Sequence, residues 1–412
     1  MSTVPSVEFQ PYDPAFAADP YAVYARLREE SPVFYSSALG MTLFTRHEDI
    51  RAVLVDSGFG RSLDHVSTRE EAERRRRAAG WHELPNFSRY VRANLLEMEG
   101  PDHARIRKLV SAALSPRRIA RLRDRVQLVT DELLAAAASA GRVGFVREVA
   151  VPLPVHMISE LLGWPEEERH RLRPWSARIV RLYEKDHDAE DEARAEQAVT
   201  EFAAMLNELA DARRDQPRGD LISALVSVES EGQRLTRDEL IATCMLLLNA
   251  GHEATVNAAG NGLLALLRHP LQLERLRNDR SLLPTAVEEM VRYDAPLQLF
   301  HRFVLEDREY QGVSLRKGDV VGLLYGSANR DPRAFERADE FDVGRSPNRH
   351  LGFGTGAHFC LGAPLARLEL EVLFGALLDR FSEVRLEGEA PRYRAGLVFR
   401  GVDALPVSVV PH

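Results

Sequence analysis

Phe353-Gly-Thr-Gly356-Ala-His358-Phe-Cys360-Leu-Gly362 runs straight into an apolar helical pattern from Leu361 to Phe381. Glycines at 352, 354 and 356 let the backbone turn tightly and come close to something flat. They deliver Cys360 to the start of the helix, where backbone N–H groups and the helix dipole stabilise a thiolate. A lone cysteine on a loop is most often an inert core residue. The spacing sets this one apart: F-x-x-G-x-[HR]-x-C-x-G arises by chance in roughly one chain of this length in ten thousand.

Working back from this stretch, the pattern changes at Pro296. Phe303-Val-Leu, Tyr310 to Leu315 and Val320 to Leu324 read as short strands, with Lys317-Gly318-Asp319 as a hairpin turn. From Pro101 to about Leu283 helical patterning dominates. Ser115-Pro116 predicts a helix running to Ala140, and Trp164-Pro165-Glu-Glu-Glu another with acids in its first turn. Thr236-Arg-Asp-Glu239 is a capping box before a helix of about thirty residues. Toward the N-terminus, Asp19-Pro20 opens a helix through Arg28. Val33-Phe-Tyr and Met41 to Thr45 read as strands, and Arg46 to Val55 as a helix. Residues 57–100 are loop-like around a solvated Arg- and Glu-rich helix, Arg69 to Arg76. Strands at both ends with helices between them predict a mainly α (α+β) fold over 1–412 as a single domain, its small sheets built from both chain ends.

Of the 412 residues, 45% are apolar and 28% charged, which excludes collagen, wholesale disorder and a disulfide scaffold. The balance of 54 basic against 62 acidic residues gives no basic excess to argue for nucleic acid. Two cysteines, Cys244 and Cys360, cannot staple a chain this long, so a reducing, cytoplasmic setting is expected. Met1-Ser-Thr-Val-Pro-Ser-Val-Glu-Phe has neither a basic nor an apolar signal region, so no signal peptide is expected. The most apolar stretch, Ile241 to Leu267, holds Asn249, His252, Glu253, Asn257 and Asn261, too many polar groups for a membrane span. Cys244, on the apolar face of the long helix, reads as core.

The Cys360 stretch resembles the heme-ligand signature of the cytochrome P450 superfamily. The resemblance runs from about Asp19 to Val407 and is nearest to soluble bacterial members. It implies the cytochrome P450 fold, with a long central helix over heme b and Cys360 as the axial ligand of the iron. A thiolate ligand favours O–O cleavage at a heme iron. Phe353, Gly354 and Gly362 would lie beside the heme. Glu289-Met-Val-Arg292 matches the superfamily's E-x-x-R, whose i,i+3 spacing puts both side chains on one face. Glu71/Arg74 and Glu168/Arg171 share that spacing and read as surface pairs. What distinguishes Glu289 is its place before Tyr293-Asp294-Ala295-Pro296. Arg345, in Phe341-Asp-Val-Gly-Arg345, would be the third member of a group serving folding and heme retention.

Heme propionates need cationic or hydrogen-bonding partners. The resemblance assigns that role to His103 and Arg107, at i,i+4 on one helix, and to Arg302, His350 and His358. In Ala250-Gly251-His252-Glu253-Ala254-Thr255, a mid-helix glycine costs about 1 kcal/mol against alanine. Close approach of a ligand to the helix would explain it. Similar enzymes have an acid and an alcohol here that relay protons to iron-bound oxygen. Glu253 matches the acid, but Ala254 stands at the alcohol position. Thr255 lies about 100° further round the helix. Either Ala254 is neutral drift, or another group, such as the substrate, supplies the hydroxyl.

The resemblance implies a monooxygenase that inserts one oxygen atom from O2 into a small, largely apolar substrate by hydroxylation, epoxidation or oxidative dealkylation. The pocket would be lined by Leu84, Asn86, Leu95, Leu246, Asn249, Ala250, Leu297, Leu299, Leu397 and Val398, roofed by residues 175–187. Asn249 and Asn86 could read a polar group. There is no G-x-G-x-x-G after a strand, and two cysteines cannot hold a cluster, so electrons must come from outside. A ferredoxin with an NAD(P)H-dependent ferredoxin reductase is implied, docked on Arg105, Lys108, Arg117, Arg118 and Arg121. No nucleic-acid or membrane partner is expected. The alternatives are a heme-thiolate enzyme needing no external electrons (a peroxygenase or isomerase) and a heme-binding sensor. Glu253 argues against peroxide-driven relatives, which carry Arg-Pro in place of the acid and alcohol.

Overall fold

Local chemistry at the helix ends sets much of the architecture. Thr236 and Glu239 form the expected reciprocal box: the Thr236 N–H donates to Glu239 Oε2 at 2.8 Å, and the Glu239 N–H to Thr236 Oγ1 at 3.2 Å. The helix they open, Arg237–Arg268, has 32 residues. Asp188 makes a similar box with Asp191 at the head of Ala189–Asp215. The computed structural model describes residues 7–78, 80–184, 187–230, 232–388, 391–394 and 396–412. Among them, no helix is long and apolar enough to cross a membrane.

The chain forms two compact units, one of Met1–Gly60, Arg123–Leu153 and Glu253–His412, the other of Arg61–Leu122 and Pro154–His252. In the first, a five-stranded sheet has the order Val33–Ser36, Met41–Phe44, Val320–Leu324, Leu299–Val304, Phe59–Gly60. Met41–Phe44 runs parallel to Val320–Leu324, with Thr42 opposite Val321. Strands from the two ends of the sequence therefore share one sheet, as expected. A second sheet joins Phe381–Leu386, Pro406–Pro411 and Arg142–Gly144. Phe34, Leu43, Leu324 and Tyr24 fill one face of the larger sheet, and Phe44, Ile50, Val321 and Leu323 the other.

The second unit is built on Gly100–Ala113, Leu172–Arg181, Ala189–Asp215 and the first half of the long helix. Trp175 stacks on Phe202 at 5.2 Å, and Trp164 meets both rings edge-on. Trp175 is thus core of this unit, while Lys185 and Asp186 of the expected roof lie outside the described residues.

Three expectations need correction. The helix expected from Ser115 to Ala140 is two, Pro116–Ala120 and Arg123–Ala140, separated by a turn at Arg121 and Leu122. The strand expected from Tyr310 to Leu315 is a hairpin of Arg308–Tyr310 and Val313–Leu315. Gln311 and Gly312 both take positive φ, 49° and 78°, which is the two-residue turn geometry that reverses a strand. Lys317-Gly318-Asp319, expected as a hairpin turn, joins Val313–Leu315 to Val320–Leu324, which lie in different sheets and do not pair with each other.

Candidate active site

The loop before the helix Ala363–Arg380 takes its shape from two glycines with positive φ, Gly354 at 66° and Gly356 at 71°. A Cβ on Gly356 would come within 2.6 Å of the Leu54 carbonyl oxygen, so no side chain fits there. The Cys360 N–H donates to the Phe353 carbonyl at 2.9 Å, closing the loop and setting the sulfur just ahead of the helix. Cys360 is half-buried, while Cys244 is fully buried. Burial pushes the Cys244 thiol up to about 12, so it stays protonated, as a core cysteine does.

Glu289 and Arg292 pair in two places, Oε2–Nε at 2.6 Å and Oε1–Nη2 at 2.8 Å, with both side chains wholly buried. Arg345 Nε reaches both Glu289 oxygens at 3.1 Å. Asn348 and the Asp342 N–H also donate to Glu289. Arg292 ties this centre to the carbonyls of Asn329, Ala338 and Glu340. Glu168/Arg171, with the same spacing, is a half-exposed pair at 3.1 Å.

Among the expected propionate partners, Arg302 is buried in the first unit on the strand Leu299–Val304, its guanidinium carbon 5.0 Å from the Phe300 ring centre. His358, also in the first unit, is half-buried in the Cys360 loop. His103 is buried and Arg107 half-buried on the helix Gly100–Ala113 of the second unit. His350 departs from expectation. Its Nδ1 accepts the Gly352 N–H at 3.1 Å and its Nε2 meets Glu288 Oε2 at 3.1 Å. With both ring nitrogens taken, His350 braces the loop instead of reaching outward.

On the long helix, Ala250 and Gly251 are exposed between buried neighbours, and a Cβ on Gly251 would meet no atom within 4 Å. Thr255 is buried and Ala254 half-buried. Glu253 Oε2 accepts from Arg394 Nη1 at 3.2 Å, Asn257 Oδ1 accepts from Arg394 Nη2 at 3.3 Å, and Arg394 Nε lies 3.3 Å from Asp403. Tyr393 fixes this strap by donating to Asp294 Oδ2 at 2.7 Å, beside the Arg400–Asp294 pair at 2.6 Å. Nothing in the spacing of the sequence points to Arg394, which reaches Glu253 from 141 residues away.

The expected pocket residues divide. Leu299 and Leu397 are core, packed with Phe34, Leu43 and Leu324, because strand alternation turns Leu299 toward the face of the sheet that those residues fill. Leu297 bridges to Phe399, and the Val398 carbonyl accepts the Gln298 N–H. Asn86 spends its amide on Thr200 Oγ1 at 2.9 Å, and Leu84 lines an open concavity of about 610 Å³ with Glu83, Glu192, Glu196 and Glu201. Leu95 is buried, and Leu246 half-buried. Asn249 is buried one turn before Glu253, and its Oδ1 has no hydrogen-bond partner among the described residues. Of the basic set, Arg105 is spent on Glu239, and Arg118 donates to the Gly219 carbonyl at 2.8 Å.

These residues fit a heme. Within the first unit the donor set offers a half-buried cysteine on a glycine-shaped loop, a buried arginine and a loop histidine.

The comparisons with known proteins agree. The family model described as Cytochrome P450 matches residues 157–396. The chain is 40% identical to the cytochrome P450 monooxygenase PikC of Streptomyces venezuelae, over 95% of this chain and 91% of that one. It is 38% identical to the 6-deoxyerythronolide B hydroxylase of Saccharopolyspora erythraea, over 99% of each. The solved structure of the Bacillus subtilis bacillaene polyketide synthase cytochrome P450 PksS superposes with a TM-score of 0.88 at 36% identity, covering 97% of this chain and 99% of the other.

Proposed function

The chain belongs to the cytochrome P450 family and is a heme b-dependent monooxygenase, and on that premise we propose that it oxidises a largely apolar secondary metabolite that carries a hydrogen-bonding group. Heme b ligated by a thiolate supplies reductive activation of O2: with two electrons and two protons, one oxygen atom enters the substrate and the other leaves as water. The single observation that carries the reading is the Cys360 loop, which presents a half-buried thiol directly ahead of a helix.

In this reading Cys360 holds the iron, while Arg302 and His358, with His103 and Arg107, neutralise the propionates. Glu253 holds and moves a proton, oriented by Arg394. Ala254 offers no hydroxyl and Thr255 is buried. A substrate hydroxyl or a water therefore completes the relay. Asn249 Oδ1, buried one turn before Glu253, is an acceptor that such a group satisfies; left without a donor, it would cost about 1–3 kcal/mol. Two relatives are named for polyketide biosynthesis or for 6-deoxyerythronolide B, which supports an apolar polyketide-like body. Electrons come from a ferredoxin fed by NAD(P)H, and the enzyme works in the cytoplasm. The test is the reduced carbon monoxide difference spectrum, followed by NAD(P)H consumption with a surrogate ferredoxin system and a substrate panel. A thiolate-type spectrum with substrate-dependent NAD(P)H use supports the reading. Turnover driven by peroxide alone, or heme binding without turnover of any substrate, overturns it.

A further inference from the structure

The helix Leu283–Tyr293 carries two adjacent glutamates with different tasks. Glu289 is spent on Arg292 and Arg345. Glu288 meets Arg367 in two places, Oε1–Nε at 2.6 Å and Oε2–Nη2 at 2.9 Å, and its Oε2 also meets His350 Nε2. The other His350 nitrogen accepts the Gly352 N–H. Arg367 lies in the first turns of the helix Ala363–Arg380, which begins three residues after Cys360. Its guanidinium carbon sits 4.6 Å from the centre of the Phe353 ring, and that ring is 5.7 Å from His350. The Phe353 carbonyl accepts the Cys360 N–H. Glu288, His350, Arg367 and Phe353 thus enclose the loop that carries the cysteine, all within the first unit.

The enclosure is charged yet balanced. Burial works against the Glu288 carboxylate, but Arg367 and His350 outweigh it and hold the group down at about 2. The Glu288 hydrogen bond pushes the Arg367 guanidinium further above its ordinary value, and a negative charge at Cys360 acts in the same direction. Geometry joins Arg367 to the cysteine loop through Phe353, whose ring lies under the guanidinium and whose carbonyl accepts the Cys360 N–H.

We propose that Glu288, His350 and Arg367 form a charge-balanced brace that sets how strongly the Cys360 thiolate donates to the heme iron, and with it the potential at which the iron takes up its first electron. The proposal rests on Cys360 being the axial ligand. A cation near the sulfur draws electron density from it and favours the ferrous state; the Glu288 carboxylate offsets that pull. Removing one partner leaves the other's charge unbalanced, so the two deletions act in opposite directions. A brace that served packing alone would not show opposite signs.

The experiment is a dithionite titration of purified holoenzyme, in which one electron from dithionite converts ferric to ferrous heme, with the carbon monoxide difference spectrum taken for every variant. At a fixed poise, Arg367→Gln lowers the ferrous-to-ferric ratio roughly tenfold, the size expected for a unit charge acting over one or two side-chain lengths at an effective dielectric near 20. Glu288→Gln raises the ratio by a similar factor. Arg367→Lys, which keeps the charge but loses the two-pronged contact, stays near the parent. Shifts of the same sign in both Gln variants, or none in either, overturn the proposal. If Arg367→Gln loads no heme, Glu288→Gln decides alone: an upward shift supports the brace, and an unmoved or lowered ratio overturns it. Cys360→Ser tests the underlying reading separately. If that variant keeps the thiolate-type spectrum, the ligand assignment fails; if it loses the spectrum while the brace variants leave the ratio unmoved, only the brace fails.

Discussion

Glu289→Ala removes the counter-charge from two buried guanidinium groups at once. Arg292 takes that loss in full, since both charged contacts of its fork end on Glu289, and Arg345 loses its only carboxylate contact among the described residues. Breaking one buried ion pair by deleting a partner costs about 3–5 kcal/mol. Two cations share the loss here, but each keeps carbonyl partners: Asn329, Ala338 and Glu340 for Arg292, and Glu336, Arg337 and Glu340 for Arg345. The cost therefore stays near that of one pair, about 4 kcal/mol, against a whole-protein stability of about 5–15 kcal/mol. With a urea dependence of about 3 kcal/mol per molar or steeper, the unfolding midpoint falls by about 1 M. The assay is urea unfolding of purified holoenzyme followed by far-ultraviolet circular dichroism, with the heme-to-protein ratio measured alongside. Glu168→Ala breaks the half-exposed pair of identical spacing and should cost under about 1 kcal/mol. A Glu289→Ala midpoint as close to the parent as that of Glu168→Ala would refute the reasoning.

Glu369 gives a pH signature of its own: burial raises its carboxyl to about 8, and Oε2 has no hydrogen-bond partner among the described residues. Between about pH 4.5 and 8 the folded state binds a proton the unfolded state has released, so this group lowers stability by roughly 1.4 kcal/mol per pH unit across that window. Glu369→Gln should remove the slope, its advantage in urea midpoint growing from pH 5.5 to 8; a constant difference would contradict the assignment. Cys360→Ser should abolish the thiolate-type carbon monoxide spectrum and all oxygenation, while Cys244→Ser leaves the spectrum intact. Ala variants of Arg107, Arg302 and His358 should each lose about 1.5–3 kcal/mol of heme affinity, read as faster transfer of heme to apomyoglobin; parent-like transfer in all three would remove them from the propionate site. Glu253→Gln and Arg394→Ala should both lower product formed per NADPH and raise hydrogen peroxide, and Ala254→Thr should restore coupling mainly for substrates lacking the polar group. Coupling indifferent to all three changes would mean that the relay does not run through Glu253.

Much of this protein is legible in local chemistry. The capping box at Thr236 and Glu239, the glycines ahead of Cys360 and the i,i+3 spacing of Glu289 and Arg292 each act over one helical turn or one loop, so their geometry is written in neighbouring residues. The same locality explains what was misread. The break after Ala120 and the two-residue turn at Gln311–Gly312 lie inside stretches that read as continuous elements, and periodicity alone does not mark an interruption of one or two residues.

By itself, the sequence determined the cysteine that can serve as a heme ligand, the acid on the long helix, the missing alcohol at Ala254 and the mixed α+β plan. Only the tertiary structure decided which side chains those groups meet. Arg394 reaches Glu253, Glu288 reaches Arg367 and His350, and Leu299 and Leu397 turn into the core. The physical reason is distance along the chain. An ion pair between residues 79 or 141 positions apart leaves no periodic trace in the sequence, because its geometry is set by how whole helices and strands pack.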